Sequence, residues 1–190
     1  MSDNQIIYLE GKHIFLRPLL EKDFTFDYFK WLNDPLINEF SQRRPFPISF
    51  EAMKDYNNYY LKNPQKGFVL AIIEKDNNIH IGNISLVNIQ LIHRCAEIAI
   101  LIGNKGFWNM GYGKESIYLL TKHSFSHINL HKIFAGSFNP AFVKCVQDLG
   151  WKKEGEFREK IWSNDKYHSQ IWLSILKHEF TAIERFEVAP

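Results

Sequence analysis

Apolar and polar positions change period several times along the chain, and each change marks an element. Ile6 to Leu19 reads as extended chain, with Gly11 interrupting it as a hairpin turn or bulge. From Asp23 to Leu32 the rings of Phe24, Tyr28 and Trp31 recur at spacings of four and three, which predicts one face of a helix. Asn33-Asp34-Pro35 stops it, because the residue before a proline is driven out of helical geometry. Ser49 is placed to cap a second helix that runs to about Lys62.

The middle of the chain reads as strands. Phe68 to Ile73 is apolar without a break, as expected of a strand covered on both faces. Asp76-Asn77-Asn78 signals a turn, Ile79 to Ile89 returns as the partner, and Glu97 to Ile102 is a third strand. Then come a helix from Gly113 to about Phe125, a strand from Lys132 to Phe138 and a helix from Pro140 to Leu149. Strands at Trp151 to Arg158 and Tyr167 to Lys177 close the pattern. The hairpins demand antiparallel pairing, while the later strand-helix-strand units permit a parallel pair. The expected fold is α/β of the α+β type: a mixed, mostly antiparallel central sheet of about seven strands with helices on both faces. No repeat or long linker divides the 190 residues. One domain is expected, with a core from about 8 to 180 and a tail at 181–190.

Composition narrows the partners. A formal charge of +2 without a basic block gives no support for a nucleic-acid partner. Cys95 and Cys145 are too few for a metal framework and suggest a reducing compartment. His123 and His127 have the i, i+4 spacing of two ligands, but no third ligand accompanies them, so no metal is expected. The polar start and the shortness of the apolar runs Phe68–Ile73 and Ile98–Ile102 predict a cytoplasmic protein without a membrane partner.

The sharpest chemical feature is the segment from Gly103 to Lys114, set between a buried strand and a helix. Gly111 and Gly113 stand at the helix entrance, where unpaired amides and the positive end of the helix dipole favour an anion. Glycine lets the backbone approach a phosphate closely, and Lys105 and Lys114 could add charge. A turn that only connects two elements has the same glycine pattern. Neither the dinucleotide G-x-G-x-x-G nor the ATP-loop G-x-x-x-x-G-K-[ST] is present.

Ala96 to Gly103 followed by Trp108-Asn-Met-Gly-Tyr-Gly-Lys-Glu115 resembles the core signature of the GNAT superfamily of N-acetyltransferases. The likeness continues through Asn129-Leu-His-Lys-Ile133, Asn139-Pro-Ala141 and Leu149-Gly-Trp151, and it is similar to the RimJ/RimL-like branch. The resemblance implies acetyl-CoA as co-substrate, with its pyrophosphate on the turn of Trp108, Asn109, Met110, Gly111, Tyr112 and Gly113, and Lys114 opening the helix behind it. It implies that Leu101 and Ile102 lie where the pantetheine arm binds like an added strand, and that Asn139 contacts that arm. Trp31, Asn33 and Glu39 fall in the region that covers the acceptor groove. Glu97, a lone carboxylate in an apolar run, is the candidate base for an ammonium whose pKa is roughly 10.4; the alternative is a structural or substrate-binding carboxylate.

The implied activity is acetyl transfer to a primary amine, on a small amine or amino sugar. A protein N-terminus of the ribosomal-protein type is the alternative acceptor, and a homodimer is compatible with the resemblance. Three positions depart from the pattern, among them Ser169, where the branch often carries Asp after Tyr-x. Val146 stands where the superfamily often has a tyrosine that protonates the leaving thiolate, and Phe142 stands where serine is frequent. Tyr112 or Tyr118 could substitute, or water could; otherwise the chain is a non-catalytic acyl-CoA-binding module.

Overall fold

The computed structural model describes residues 6–42 and 44–181. The expected tail from 182 onward and the polar start lie outside them. Eight strands form one sheet in the order β1-β2-β3-β4-β5-β6-β8-β7. They are β1 (Leu9–Glu10), β2 (Ile14–Pro18), β3 (Gly67–Glu74), β4 (Ile79–Gln90), β5 (Cys95–Ile102), β6 (Lys132–Ser137), β7 (Lys152–Ser163) and β8 (Lys166–Leu176). The helices are α1 (Phe26–Asn33), α2 (Phe50–Lys62), α3 (Tyr112–Ser126) and α4 (Pro140–Gln147). Every neighbouring pair is antiparallel except β5 and β6. The count exceeds seven because Gly11 splits the first extended segment into two short paired strands, Leu9 opposite Leu16.

Alternation along each strand separates two faces. Ile14, Leu16, Leu70, Ile72, Ile84, Ile98, Ile133 and Leu173 pack under α3 and α4 in the larger core. Phe15, Val69, Ala71 and Ile73 point the other way, toward Phe24, Tyr56 and Tyr60 of the α1–α2 side. Both of these helices are capped, the second at Ser49 as its sequence suggests and the first at Thr25. Thr25 accepts from the Tyr28 amide and Ser49 from the Ala52 amide.

The lead-in to α1 is fixed by a buried ion pair. Arg17 of β2 donates two hydrogen bonds to Asp23, at 2.6 and 2.8 Å, and the Leu20 amide donates a third at 2.6 Å. Burial alone would raise the Asp23 pKa, but the Arg17 guanidinium and the Leu20 amide outweigh it and hold the carboxyl below its ordinary range.

Candidate active site

Continuity of the sheet fails at one place. β5 and β6 pair only through Cys95–Lys132, Ala96–Ile133 and Glu97–Phe134. Beyond Glu97 they part. β5 stays bonded to β4 as far as Ile102, and β6 stays bonded to β8 as far as Ser137. The facing edges of Ile98–Ile102 and Ala135–Ser137 therefore lack a strand partner, which suits an extended ligand laid between them.

Arg94 locks the closed end of this opening. Its carbonyl accepts from the amides of His131 (2.6 Å) and Lys132 (3.2 Å). Its guanidinium donates to the backbone oxygen of Asn129 at 2.8 Å and to Asn129 Oδ1 at 2.7 Å. Arg94, a basic loop residue, is thus a clamp.

The turn and α3 stand at the open end. Gly111 is the N-cap of α3, with φ at 85° and no capping side chain. The amides of Tyr112, Gly113 and Lys114 have no hydrogen-bond partner among the described residues. Asn109 also has a positive φ, 61°. A Cβ on Gly111 would meet nothing within 4 Å, so the space before the helix is open. Gly113 differs: its Cβ would make ordinary contact with Ile100 and Ile102, so it faces the sheet. Trp108 ties the turn down by donating its indole N–H to the Ile102 carbonyl at 2.8 Å, and Met110 is exposed at the rim. Together these leave main-chain donors free beside a parted strand pair, a geometry suited to cradling an anion.

A model of the acetyltransferase (GNAT) domain family matches residues 13–152, more than half of the chain. The chain belongs to this family. It is an acetyl-CoA-dependent acyltransferase, and the free amides at Gly111 and the unpartnered strand edges fit that donor's pyrophosphate and arm. Spermidine N(1)-acetyltransferase of Vibrio cholerae serotype O1 is 29% identical over 135 residues, covering 70% of this chain and 76% of the relative. The Escherichia coli K12 spermidine N(1)-acetyltransferase is 24% identical over 169 residues, 88% of each chain. In structure, a Vibrio cholerae spermidine N-acetyltransferase in complex with CoA and spermine superposes with a TM-score of 0.80 at 24% identity, covering 89% of this chain and 98% of that one.

The acyltransferase presents Glu97 at the last pair before the strands part. Register places Glu97, Ala99 and Leu101 on the α1–α2 face, together with Phe134, Gly136 and Trp172. Asn88 Nδ2 donates to Glu97 Oε2 at 2.9 Å. Asn139 caps α4, accepting from the amides of Ala141 (2.9 Å) and Phe142 (3.4 Å) through Oδ1; this leaves its NH₂ as the group that could reach an arm in the opening.

Of the residues expected to cover the acceptor groove, Trp31 lies against Gly103, where any Cβ would come within 2.0 Å of the indole, and its ring meets His80 at 5.2 Å. Asn33 and Glu39 line a cavity of about 780 Å³ with Asp34, Leu36, Phe46 and Asn164. The Asn33 amide is spent on the fold, donating to Phe29 and Ile48 carbonyls and accepting from the Ile48 amide. Phe40 meets Phe138 edge-on at 5.3 Å, and Phe138 meets His168 at a tilt, 5.4 Å between centroids.

Lys105 takes a different partner from the one expected, and the two candidate tyrosines pack against other rings. Lys105 does not serve the cradle: its Nζ reaches Asp34 at 2.7 Å and holds that carboxyl below its ordinary range. Tyr112 is buried between Phe107 and His13; burial raises its hydroxyl pKa, and Glu74, Asp76 and Glu115 add to the rise. Tyr118 stacks on Phe180. Val146 is fully buried in the core. Asn88, Gln170 and Trp172 went unnoticed in the sequence; the one pointer was Gly136, since glycine inside a strand often marks a close approach.

Proposed function

We propose that this acetyltransferase modifies the primary amine of a small molecule, with Glu97 as the base. The position of the Glu97 carboxylate supports this: it sits where the sheet opens, on the acceptor face, steered by Asn88. An ammonium must lose its proton before it can attack, and a carboxylate within reach, directly or through one water, accepts it. Acetyl-CoA supplies the activated acyl thioester. Tyr112 to Lys114 hold the diphosphate through amides, while Leu101, Ile102 and Asn139 align the arm, so that nucleophile and carbonyl meet in one geometry. Trp31, Asn33 and Glu39 form the acceptor wall. A thiolate of pKa about 8.5 leaves near neutral pH with little acid help, which accommodates the apolar Val146. The named activity of the relatives favours a small amine over a protein N-terminus, and the two free cysteines, Cys95 and Cys145, favour a reducing, cytoplasmic setting.

Free thiol release, followed with acetyl-CoA and a panel of sugars, polyamines and peptide N-termini, tests this. Glu97→Gln is expected to lower kcat by about 10²- to 10⁴-fold while CoA still binds in calorimetry. Absence of acceptor-dependent release across the panel would exclude it. The buried Val146 and the apolar Phe142 favour one rival, a module that binds acyl-CoA without turnover; tight CoA binding by an inactive wild type would establish that rival.

A further inference from the structure

Gly136 borders the opening on β6, opposite Trp172 of β8. A Cβ at Gly136 would come within 2.8 Å of the Trp172 indole and 3.0 Å of the Gln170 Nε2, so both side chains reach across it toward the gap. Phe134 and Phe157 brace the indole from either side, with centroids at 5.9 Å in each case. Gln170 is 2% exposed. Yet the Trp172 Nε1 and the Gln170 Oε1 are buried without any hydrogen-bond partner among the described residues. Five such side-chain atoms occur among the described residues. Three of them, on Asn83, Gln170 and Trp172, lie on the acceptor face, and the other two belong to α3.

Leaving a buried donor or acceptor unmet is costly, so an adjacent pair at the reaction cleft is where a ligand gains most by supplying the missing partners. The two needs differ. An indole N–H can only donate, and the Gln170 oxygen can only accept. A ligand meeting both must carry a hydrogen-bond acceptor as well as an N–H or O–H.

We infer that Trp172 and Gln170 select an amine that bears an oxygen close to its nitrogen, such as an amino alcohol, amino sugar or amino amide, over a polyamine. This rests on the acetyl-transfer function proposed above. A polyamine with ammonium groups of pKa roughly 10.4 offers donors and methylenes. Its single neutral nitrogen has its lone pair committed to the new bond. It satisfies Gln170 and strands the indole N–H. An oxygen-bearing amine accepts from Trp172 Nε1 and donates to Gln170 Oε1 together.

The experiment compares kcat/KM of the wild type for an oxygen-bearing amine and for its deoxy analogue of equal length, with spermidine alongside. The oxygen-bearing amine is expected to lead by about tenfold to a hundredfold. Trp172→Phe keeps a ring over Gly136 but removes the donor, and it should collapse that ratio toward one; Gln170→Met should lower it as well. Calorimetry with CoA alone is the separate readout. Equal turnover of the paired acceptors, a preference for spermidine, an unchanged ratio in both variants, or a Trp172→Phe defect confined to CoA affinity would overturn the selection while leaving acetyl transfer standing. No thiol release with any amine, although CoA binds, would remove both.

Discussion

Under the proposed function, one strand, one turn and one helix, consecutive between Cys95 and Ser126, make most of the donor side of the cleft. The proposed acceptor side gathers Trp31, Asn33, Glu39, Glu97, Gln170 and Trp172 from separate stretches of the chain. The material differs as well. On the donor side the working groups are main-chain amides at Gly111 and strand edges from which a neighbour has withdrawn. On the acceptor side they are side chains, several of them held by other side chains. Backbone can grip a cofactor shared by many enzymes; side chains can be exchanged to suit one acceptor. The two halves should therefore fail in different ways when disturbed.

The largest effect is expected where the acceptor half is founded on a buried charge. Asp23→Ala leaves the Arg17 guanidinium, at 8% exposure, without its carboxylate. Removing one partner of a buried pair destabilises by about 3–5 kcal/mol. Chemical denaturation should show a loss of that size, together with an upward shift of KM for the amine in whatever folded fraction survives. A loss below about 1 kcal/mol would mean that the pair is not what holds the turn before α1.

On the donor side the corresponding break is conformational. Gly111 is left-handed at φ 85°, and space for a Cβ is open, so Gly111→Ala isolates the backbone cost. That cost is about 1–2 kcal/mol, or about five- to thirtyfold in CoA affinity. Gly113→Ala, with only ordinary contacts awaiting its Cβ, should cost clearly less. Equal losses at both positions, measured by calorimetry, would show that the cradle depends on bulk rather than on φ.

A pH titration separates the halves again. His80 sits against Tyr28 and Trp31, and burial lowers its pKa, partly offset by its hydrogen bond to Asn83. The unfolded chain therefore binds more protons than the folded one, and stability rises with pH. The contribution is fully present above the unfolded value of about 6.5 and is lost as pH falls toward the lower folded value. Asp23, also lowered, behaves with the same sign in more acidic solution, below about 3.9. Replacing His80 with glutamine should flatten thermal stability between neutral and mildly acid pH; an unaltered slope would assign it to another group.

Those differences explain what could be read from the residues. The strand before Gly103, the glycines at 111 and 113 and the capping residues Ser49 and Asn139 carry local signals, because backbone geometry restricts which residue can stand there. The split of β1 from β2 was visible only as Gly11, since two-residue strands carry almost no periodicity. Lys105 read as a cofactor charge because sequence neighbours were the only partners in view; the fold brings Asp34 to it from 71 positions away. Arg94 and Asn129 are likewise 35 apart. Nothing in Tyr167 to Leu176 distinguishes Trp172 as more than an apolar position on an alternating strand, and only its crossing of Gly136 does so.

Lys114 sharpens the comparison with the smallest expected change. It is exposed at the first turn of α3, and its charge acts on Cys145 of α4, whose thiol is pushed up mainly by burial and is partly relieved by Lys114. The ammonium thus stands on the donor side, near the cradle, but in solvent. An exposed charge near a helix terminus contributes about 0.3–1 kcal/mol and is screened by salt. Lys114→Gln should weaken CoA binding by about two- to fivefold at low ionic strength, and the deficit should fade as salt is raised, with the preference among amines unaffected. A loss larger than that of Gly111→Ala, or one insensitive to salt, would shift the weight of diphosphate binding from the main chain to a side chain and erase the distinction between the halves.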